Sequence, residues 1–416
     1  MAGEQWQEIR MRLLDRMDLS RDLSDEELKQ CIAGEISRYG REHLLSLRER
    51  AEYQRHIFNS FRKLDVIQDL LDDDEITEIM INGPQHIFYE KKGQIFPWEG
   101  GSLTGEKLAD VIQQIVGSVN RTVNEAQPIV DARLEDGSRV NVVLSPIAID
   151  GSAISIRKFP KDPMTMERLV GLDSLSEEAA GFLILLVRAG YNIFVSGGTG
   201  SGKTTFLNAL SEHIPPSQRV VTIEDSAELQ MRSVKNLVRL ETRQSNGSGS
   251  RDITIRDLIR TALRMRPDRI IVGEVRGAEA LDMLQSLNTG HDGSLSTGHA
   301  NSSEDMLSRL ETMVLMGMDL PMEAIRRQIA SGIDILVHLG RLRDRSRKVL
   351  RISEVNGIRN GRIRLRTLYQ FEEKEEREGK IYGIWKKEED LQHTEKLQAE
   401  GLEEAYREFL GSAPKG

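Results

Sequence analysis

Cysteine is nearly absent from this sequence. Cys31 stands alone among 416 residues, so neither an intramolecular disulfide nor a cysteine-based zinc site can form. Cys31 itself reads as a small buried hydrophobe. Long apolar runs are missing too. The longest near the middle, 182–187, falls far short of the ~20 residues that span a bilayer. Residues 1–20 mix charge into every turn and have no apolar core of the signal-peptide kind, so a cytosolic chain is expected. Nor is there an excess of positive charge. The formal net charge is -9, which argues against non-specific nucleic-acid binding while leaving room for a local basic patch. No solenoid-type repeat is present.

The residues that are there describe a charged, globular chain, 30% charged and 38% hydrophobic, long enough for two or three domains. Residues 1–60 read as a small helical module, flexibly attached, with Leu28, Cys31, Ile32 and Ile36 at helical spacing. Residues 61–159 form an α+β domain. Short β-type runs at 76–81 and 86–90 flank Asn82-Gly83-Pro84, a Thr104-capped helix spans 104–119, and strands follow at 129–134, 139–144 and 153–159. Residues 160–173 carry Pro160 and Pro163 and read as an interdomain hinge. Residues 174–370 alternate strand and helix, which implies a parallel sheet covered on both faces, with antiparallel strands after residue 333. Residues 371–416, crowded with Glu and Lys, read as a charged tail, disordered or a solvated helix.

The chemistry starts at Gly197-Gly198-Thr199-Gly200-Ser201-Gly202-Lys203-Thr204-Thr205, which fits G-x-x-x-x-G-K-[ST] throughout. Glycines let the backbone wrap so that its N–H groups meet phosphate oxygens, and the following helix adds roughly half a unit of positive charge. Lys203 can reach the β- and γ-phosphates of ATP, and the Thr204 hydroxyl can ligate Mg²⁺. Glu274 follows the apolar run 270–272, where a strand end delivers a carboxylate to Mg²⁺ or to an attacking water. Glu224, Asp225 and Glu228 crowd another strand end, with Glu224 the strongest candidate for metal or water. The stretch 289–301 is polar and glycine-rich, and holds His291 and His299, candidates for sensing the γ-phosphate. Arg133, Arg139 and Arg157 on strands of the α+β domain are cations able to meet charge developing on a phosphoryl group. Arg243, Arg276 and the cluster Arg260, Arg264, Arg266 and Arg269 are further candidates.

The order of these motifs resembles that of the secretion ATPase superfamily, which powers type II secretion, type IV secretion and type IV pili. The likeness is carried by 238–243, by 263–277, by an aspartate box at 224–228, and by the histidine box at 287–294 and 297–301. It runs over about 60–370 and weakly over 380–383. Within the superfamily the sequence is most similar to the CpaF-like branch, which assembles Tad (Flp) pili. The lone cysteine departs from those members with a four-cysteine zinc module. The resemblance implies a RecA-like P-loop ATPase domain preceded by an α+β, PAS-like N-terminal domain. It also implies a homo-hexameric ring with nucleotide between the two domains, and N-terminal arginines reaching the phosphates, Arg139 and Arg157 first and Arg133 next. Docking on inner-membrane platform proteins, at the cytoplasmic face, follows from the same likeness. No specific nucleic acid is expected as partner. The competing readings are a DNA-translocating RecA-like motor and a nucleotide-gated assembly module with little turnover.

Overall fold

A computed structural model of the chain describes residues 2–17, 23–119, 122–159, 163–243 and 251–412. Two compact units divide it, Met1–Lys161 and Asp162–Gly416.

The first unit opens with helices α1 (Ala2–Leu14), α2 (Asp25–Glu42), α3 (Leu47–Arg62) and α4 (Ile67–Asp72). Reciprocal capping boxes, Ser24 with Glu27 and Ser46 with Glu49, start α2 and α3. Leu28, Ile32, Ile36 and Tyr39 form the buried face of α2, against Ile9, Leu13, Tyr53 and Ile57. Cys31 falls beside that stripe and is exposed, contrary to its expected burial. The helical module is not loosely attached either. Trp6 packs against both the helical core and the core of the adjoining sheet. Lys107 donates to the Ser60 carbonyl at 3.0 Å.

That sheet comprises β1 (Ile76–Asn82), β2 (Ile87–Lys91), β3 (Gln94–Pro97), β4 (Ile129–Arg133), β5 (Arg139–Val143) and β6 (Ala153–Arg157). Its order is β3-β2-β1-β6-β5-β4, antiparallel throughout. Helix α5 (Gly105–Ser118), capped by Thr104, packs Leu108, Val111, Ile112 and Ile115 against Ile79, Ile81, Val140, Val142, Ile154 and Ile156. Each such side chain contributes about 1.5–3 kcal/mol by burial. Strand alternation sends their neighbours to the other face. There Arg133 pairs in register with Arg139, Arg139 with Arg157, and Arg157 with Glu78, forming one cross-strand row.

The second unit contains α6 (Met166–Gly171), α7 (Glu177–Arg188), β7 (Ile193–Gly197), α8 (Lys203–Ser211), β8 (Arg219–Glu224), β9 (Asn236–Glu241), α9 (Ile255–Ala262) and β10 (Arg269–Val272). It continues through α10 (Glu279–Leu287), β11 (Leu295–His299), α11 (Ser303–Gly317), α12 (Met322–Gly332), β12 (Ile335–Arg341), β13 (Arg347–Arg359), β14 (Arg362–Arg377), β15 (Lys380–Lys387), α13 (Glu395–Ala399) and α14 (Glu403–Ser412). The sheet order is β15-β14-β13-β12-β7-β11-β10-β8-β9. Strands β12 to β9 in that order run parallel and the first three are antiparallel. Both faces are covered. Ile193 and Val195 point into a core with Leu183, Leu186, Leu207 and Leu210, while Phe194 points into the opposite one with Ile259, Leu284 and Leu310.

The expected hinge at 160–173 is only part of a connection. Residues 160–162 lie outside the described residues, and α6 belongs to the second unit. The expected tail is also different. Residues 371–377 continue β14 and residues 380–387 build β15, which pairs with it in antiparallel register. Phe371 meets Trp385 with ring centroids 4.9 Å apart. The outward glutamates Glu373 and Glu376 are paired by Arg343. Tyr406 and Phe409 of α14 pack on Phe182.

Candidate active site

Strands β7, β8, β10 and β11 are parallel neighbours, so everything placed just beyond their C-terminal ends is gathered on one edge. The glycine-rich loop follows β7. Gly202, with φ 92°, makes the left-handed step into α8, and Phe206, Leu207 and Leu210 bury one side of that helix. The first N–H groups of a helix have no intrahelical partner, which makes this loop an anion cradle.

Lys203 is 7% exposed, and its Nζ donates to the Gly198 carbonyl at 3.1 Å and to His299 Nδ1 at 3.2 Å. His299 ends β11. Burial first, and then the charge of Lys203, hold its pKa below the usual imidazole value. A neutral ring that accepts at Nδ1 carries its proton on Nε2. That nitrogen is 2.7 Å from Glu274 Oε1, within ion-pair distance but without hydrogen-bond alignment. Glu274 stands two residues past β10, and Arg276 donates to its Oε2 at 2.5 Å. Arg276 also lies 3.9 Å from Asp225. Lys203, His299, Glu274, Arg276 and Asp225 therefore form a continuous chain of alternating polar partners.

Glu224, the last residue of β8, is the most buried acid of the group, 4% exposed. Its Oε1 accepts from the N–H groups of Glu228 and Leu229 at 2.7 and 2.9 Å. Its Oε2 is buried with no hydrogen-bond partner. Gly273 makes room for it: a Cβ there would stand 2.9 Å from Glu224 Cγ. Burial pushes the Glu224 carboxyl up to about 7, against the pull of its two backbone donors. A buried carboxylate oxygen without a partner suits a cation, and Glu224, Glu274 and the Thr204 hydroxyl are the oxygen donors Mg²⁺ prefers.

This predicts a pH dependence. An ordinary Glu titrates near ~4.3 in an unfolded chain. Between that value and about 7 the folded protein holds the extra proton, so stability from this group is lost as pH rises through the interval. Glu224→Gln keeps a carbonyl for the two N–H groups and does not ionise. It is expected to gain about 2–3 kcal/mol over wild type at pH 8 and little at pH 4.5. Urea unfolding of metal-free, nucleotide-free protein reads this, and equal differences at the two pH values would contradict it.

Not every expected residue joins the cluster. His291 precedes β11, at the opposite end of a strand ~16 Å long. Its Nδ1 lies 3.1 Å from the Ser286 carbonyl, so it is a loop histidine satisfied by backbone and stands away from the phosphate cradle. Arg269 is buried among carbonyls, donating to Val187 at 2.7 Å and Gly293 at 3.1 Å. Arg260 pairs with Asp282. Arg133, Arg139 and Arg157 belong to the first unit. Two contributors escaped the sequence reading. Arg347 donates to the Gly200 carbonyl at 2.9 Å, bracing the loop from outside. His338, in β12, places Nδ1 2.9 Å from Ser196 Oγ, just before the loop. A histidine inside the apolar run 335–339 was the available signal for the second; one arginine among many gave none for the first.

The family model for type II/IV secretion system proteins matches residues 61–407. The conjugal transfer protein TrbB of Rhizobium radiobacter is 31% identical over 306 residues, covering 73% of this chain and 91% of that protein. The type IV secretion system protein PtlH of Bordetella pertussis is 34% identical over 298 residues, covering 66% and 88%. The fold is that of the pilus retraction motor PilT with bound ADP (TM-score 0.52, 18% identity, 84% of this chain and 89% of that one). It is also that of the Legionella pneumophila ATPase DotB (TM-score 0.51, 20% identity, 70% and 78%). Fold and site together define a RecA-like P-loop ATPase with a preceding N-terminal domain. Within that class, the chain belongs to the type II/type IV secretion system protein family.

Proposed function

We propose that this ATPase is the ring-forming motor of a secretion or pilus machine, hydrolysing Mg·ATP to ADP and phosphate to drive an inner-membrane platform. The observation that carries the reading is the chain from Lys203 through His299 to Glu274, set at the edge where the phosphate loop opens. Lys203 holds the β- and γ-phosphates. Glu274 orients the attacking water and accepts its proton density. His299 loses its Lys203 donor when phosphate claims the lysine, and so reports the γ-phosphate to Glu274. Thr204, Glu224 and Glu274 would hold Mg²⁺, which neutralises charge on the phosphates. Relatives named for conjugal transfer and type IV secretion support the machine-driving role, and the CpaF-like resemblance favours Tad pilus assembly within it. The homo-hexamer, the platform partners and a peripheral position on the cytoplasmic face belong to the same proposal. Among the described residues no helix is long and apolar enough to cross a membrane.

The arginine row of the first unit supplies the remaining cations. Arg139 and Arg157 reach the transferring phosphoryl group of their own or a neighbouring chain, with Arg133 behind them. Each of Arg139→Ala and Arg157→Ala is expected to lower kcat by about 10²–10³ with little change in KM for ATP. Steady-state hydrolysis on size-fractionated protein tests both points. Activity should be confined to a hexamer-sized fraction. Wild-type kcat in both variants would remove the row from the mechanism, and activity in a monomer fraction would remove the ring.

A further inference from the structure

The buried run of β12 is interrupted by one ionisable side chain. His338 stands between Val337 and Leu339 and is 8% exposed, while Ile335, Leu336, Val337 and Leu339 are all apolar and buried. Strand alternation turns it to the same side as Leu336, whose core includes Phe194, Met306 and Leu310. A leucine would pack there without polar cost. An imidazole is unfavourable in such a place unless its nitrogens find partners.

The partners it finds belong to the nucleotide edge. Nδ1 lies 2.9 Å from Oγ of Ser196, its register partner on β7. Ser196 is wholly buried and immediately precedes the phosphate loop. The ring also donates to the backbone carbonyl of Asn301, two residues past His299. Burial holds its pKa below the usual imidazole value, so near neutral pH one nitrogen donates and the other accepts. With its N–H given to Asn301, the ring accepts from the Ser196 hydroxyl at Nδ1. The Val337 carbonyl, at 3.5 Å, is the more distant alternative for that hydroxyl. Arg351, opposite His338 on β13, is paired with Glu304 of α11 at 2.7 Å, so that neighbouring cation is already matched. Main-chain pairing carries β11 alongside the loop as far as Ala300, whose N–H donates to the Gly197 carbonyl at 3.4 Å. His338 takes the tie one residue further.

We propose that His338 is a positioning residue for ATP hydrolysis, joining the root of the phosphate loop at Ser196 to the segment that carries His299 at Asn301. It acts through these two segments and not on the reacting atoms. Its effect is to hold Lys203 and His299, 3.2 Å apart, in one fixed relation. Small displacements of groups that act on a transferring phosphoryl group cost much more rate than binding, because the loop N–H groups still hold the phosphates. The inference rests on the reading that Lys203 and His299 act on ATP.

Three variants of the full chain test it: His338→Leu, His338→Gln and Ser196→Ala. Glutamine carries an acceptor and a donor on one amide and so replaces both ring contacts. His338→Leu should lower kcat about tenfold, with the Kd for a fluorescent ADP analogue changed less than about twofold. His338→Gln should recover the rate to within about threefold of wild type. Ser196→Ala should lower kcat about threefold to tenfold, and adding it to His338→Leu should cost little more, since both remove one contact. Urea unfolding checks that each variant is folded, and Ser196→Ala serves alone if His338→Leu is not. A wild-type kcat in folded His338→Leu or Ser196→Ala overturns the proposal. So does an equal loss in the leucine and glutamine variants, or a loss of ADP affinity in step with the rate. Lys203→Ala run alongside separates the two failures. If it keeps the wild-type rate, the reading of the phosphate site has failed. If it loses the rate while His338→Leu does not, this inference alone has failed.

Discussion

Lys203→Ala is expected to lower kcat for ATP hydrolysis by about 10³ and to weaken ATP binding at least about tenfold. The lysine is almost wholly buried, so its ammonium acts in a site largely shielded from water. Charge accumulates on the γ-phosphoryl oxygens in the transition state, and a fixed cation in such a site acts more strongly than one in water. The variant also leaves His299 Nδ1 without its donor and leaves the Gly198 carbonyl with only the Ser201 N–H at 3.3 Å. With that donor and its charge gone, the His299 pKa should move up toward the ordinary value, because the charge of Lys203 is one of the two leading causes of its depression. A coupled-enzyme assay reads the rate, and histidine proton resonances followed against pH read the titration. Hydrolysis at the wild-type rate would mean that the phosphate site lies elsewhere.

The second large effect is at Glu274. Glu274→Gln keeps the size of the side chain and its place beside Arg276, and removes the charge that orients and deprotonates water. A fall in kcat of about 10²–10³ is expected, with KM for ATP unchanged or lower. The substitution touches a half-buried group, so unfolding should move little. A parallel loss of nucleotide affinity and rate would reassign Glu274 to ground-state binding. An unchanged rate would leave Glu224, at the end of β8, as the water-organising acid. The two outcomes separate the acids because Glu224 is held by backbone N–H groups while Glu274 is held by the side chain of Arg276 and stands 2.7 Å from His299 Nε2.

Legibility differed from strand to strand. The β7 strand, its glycine loop and α8 were readable because the loop has a fixed spacing of glycines, lysine and threonine that only one geometry satisfies. Strand β11 was not. Its residues, Leu295 to His299, are mostly small or polar and read as part of a loop. In the fold it is buried between β7 and β10, with Ser296 Oγ donating to the Val272 carbonyl at 2.9 Å and Thr297 Oγ1 to the Gly273 carbonyl at 2.7 Å. Hydroxyls satisfied by neighbouring backbone cost little to bury, so polarity in that stretch did not mean exposure. The same blindness put His291 and His299 together in one polar segment, although a whole strand separates them.

The glutamate-rich end of the chain misled for the opposite reason. Charge dominated residues 371–387 and hid a strand pair at the sheet margin that is anchored by Phe371, Ile381 and Trp385.

What the sequence by itself determined is the local chemistry: a phosphate-binding loop, carboxylates at strand ends, an α+β unit before a doubly covered sheet, and no cysteine metal centre. These follow from spacing along the chain, which local backbone geometry converts directly into shape. What only the tertiary structure decided is which of the many charged residues meet. Glu274, His299 and Lys203 lie far apart in sequence and join because three parallel strands end on one edge. Arg133, Arg139 and Arg157 become a row because antiparallel register aligns them. Register and strand order depend on the sum of many weak packing terms across the whole unit, and no single segment carries them.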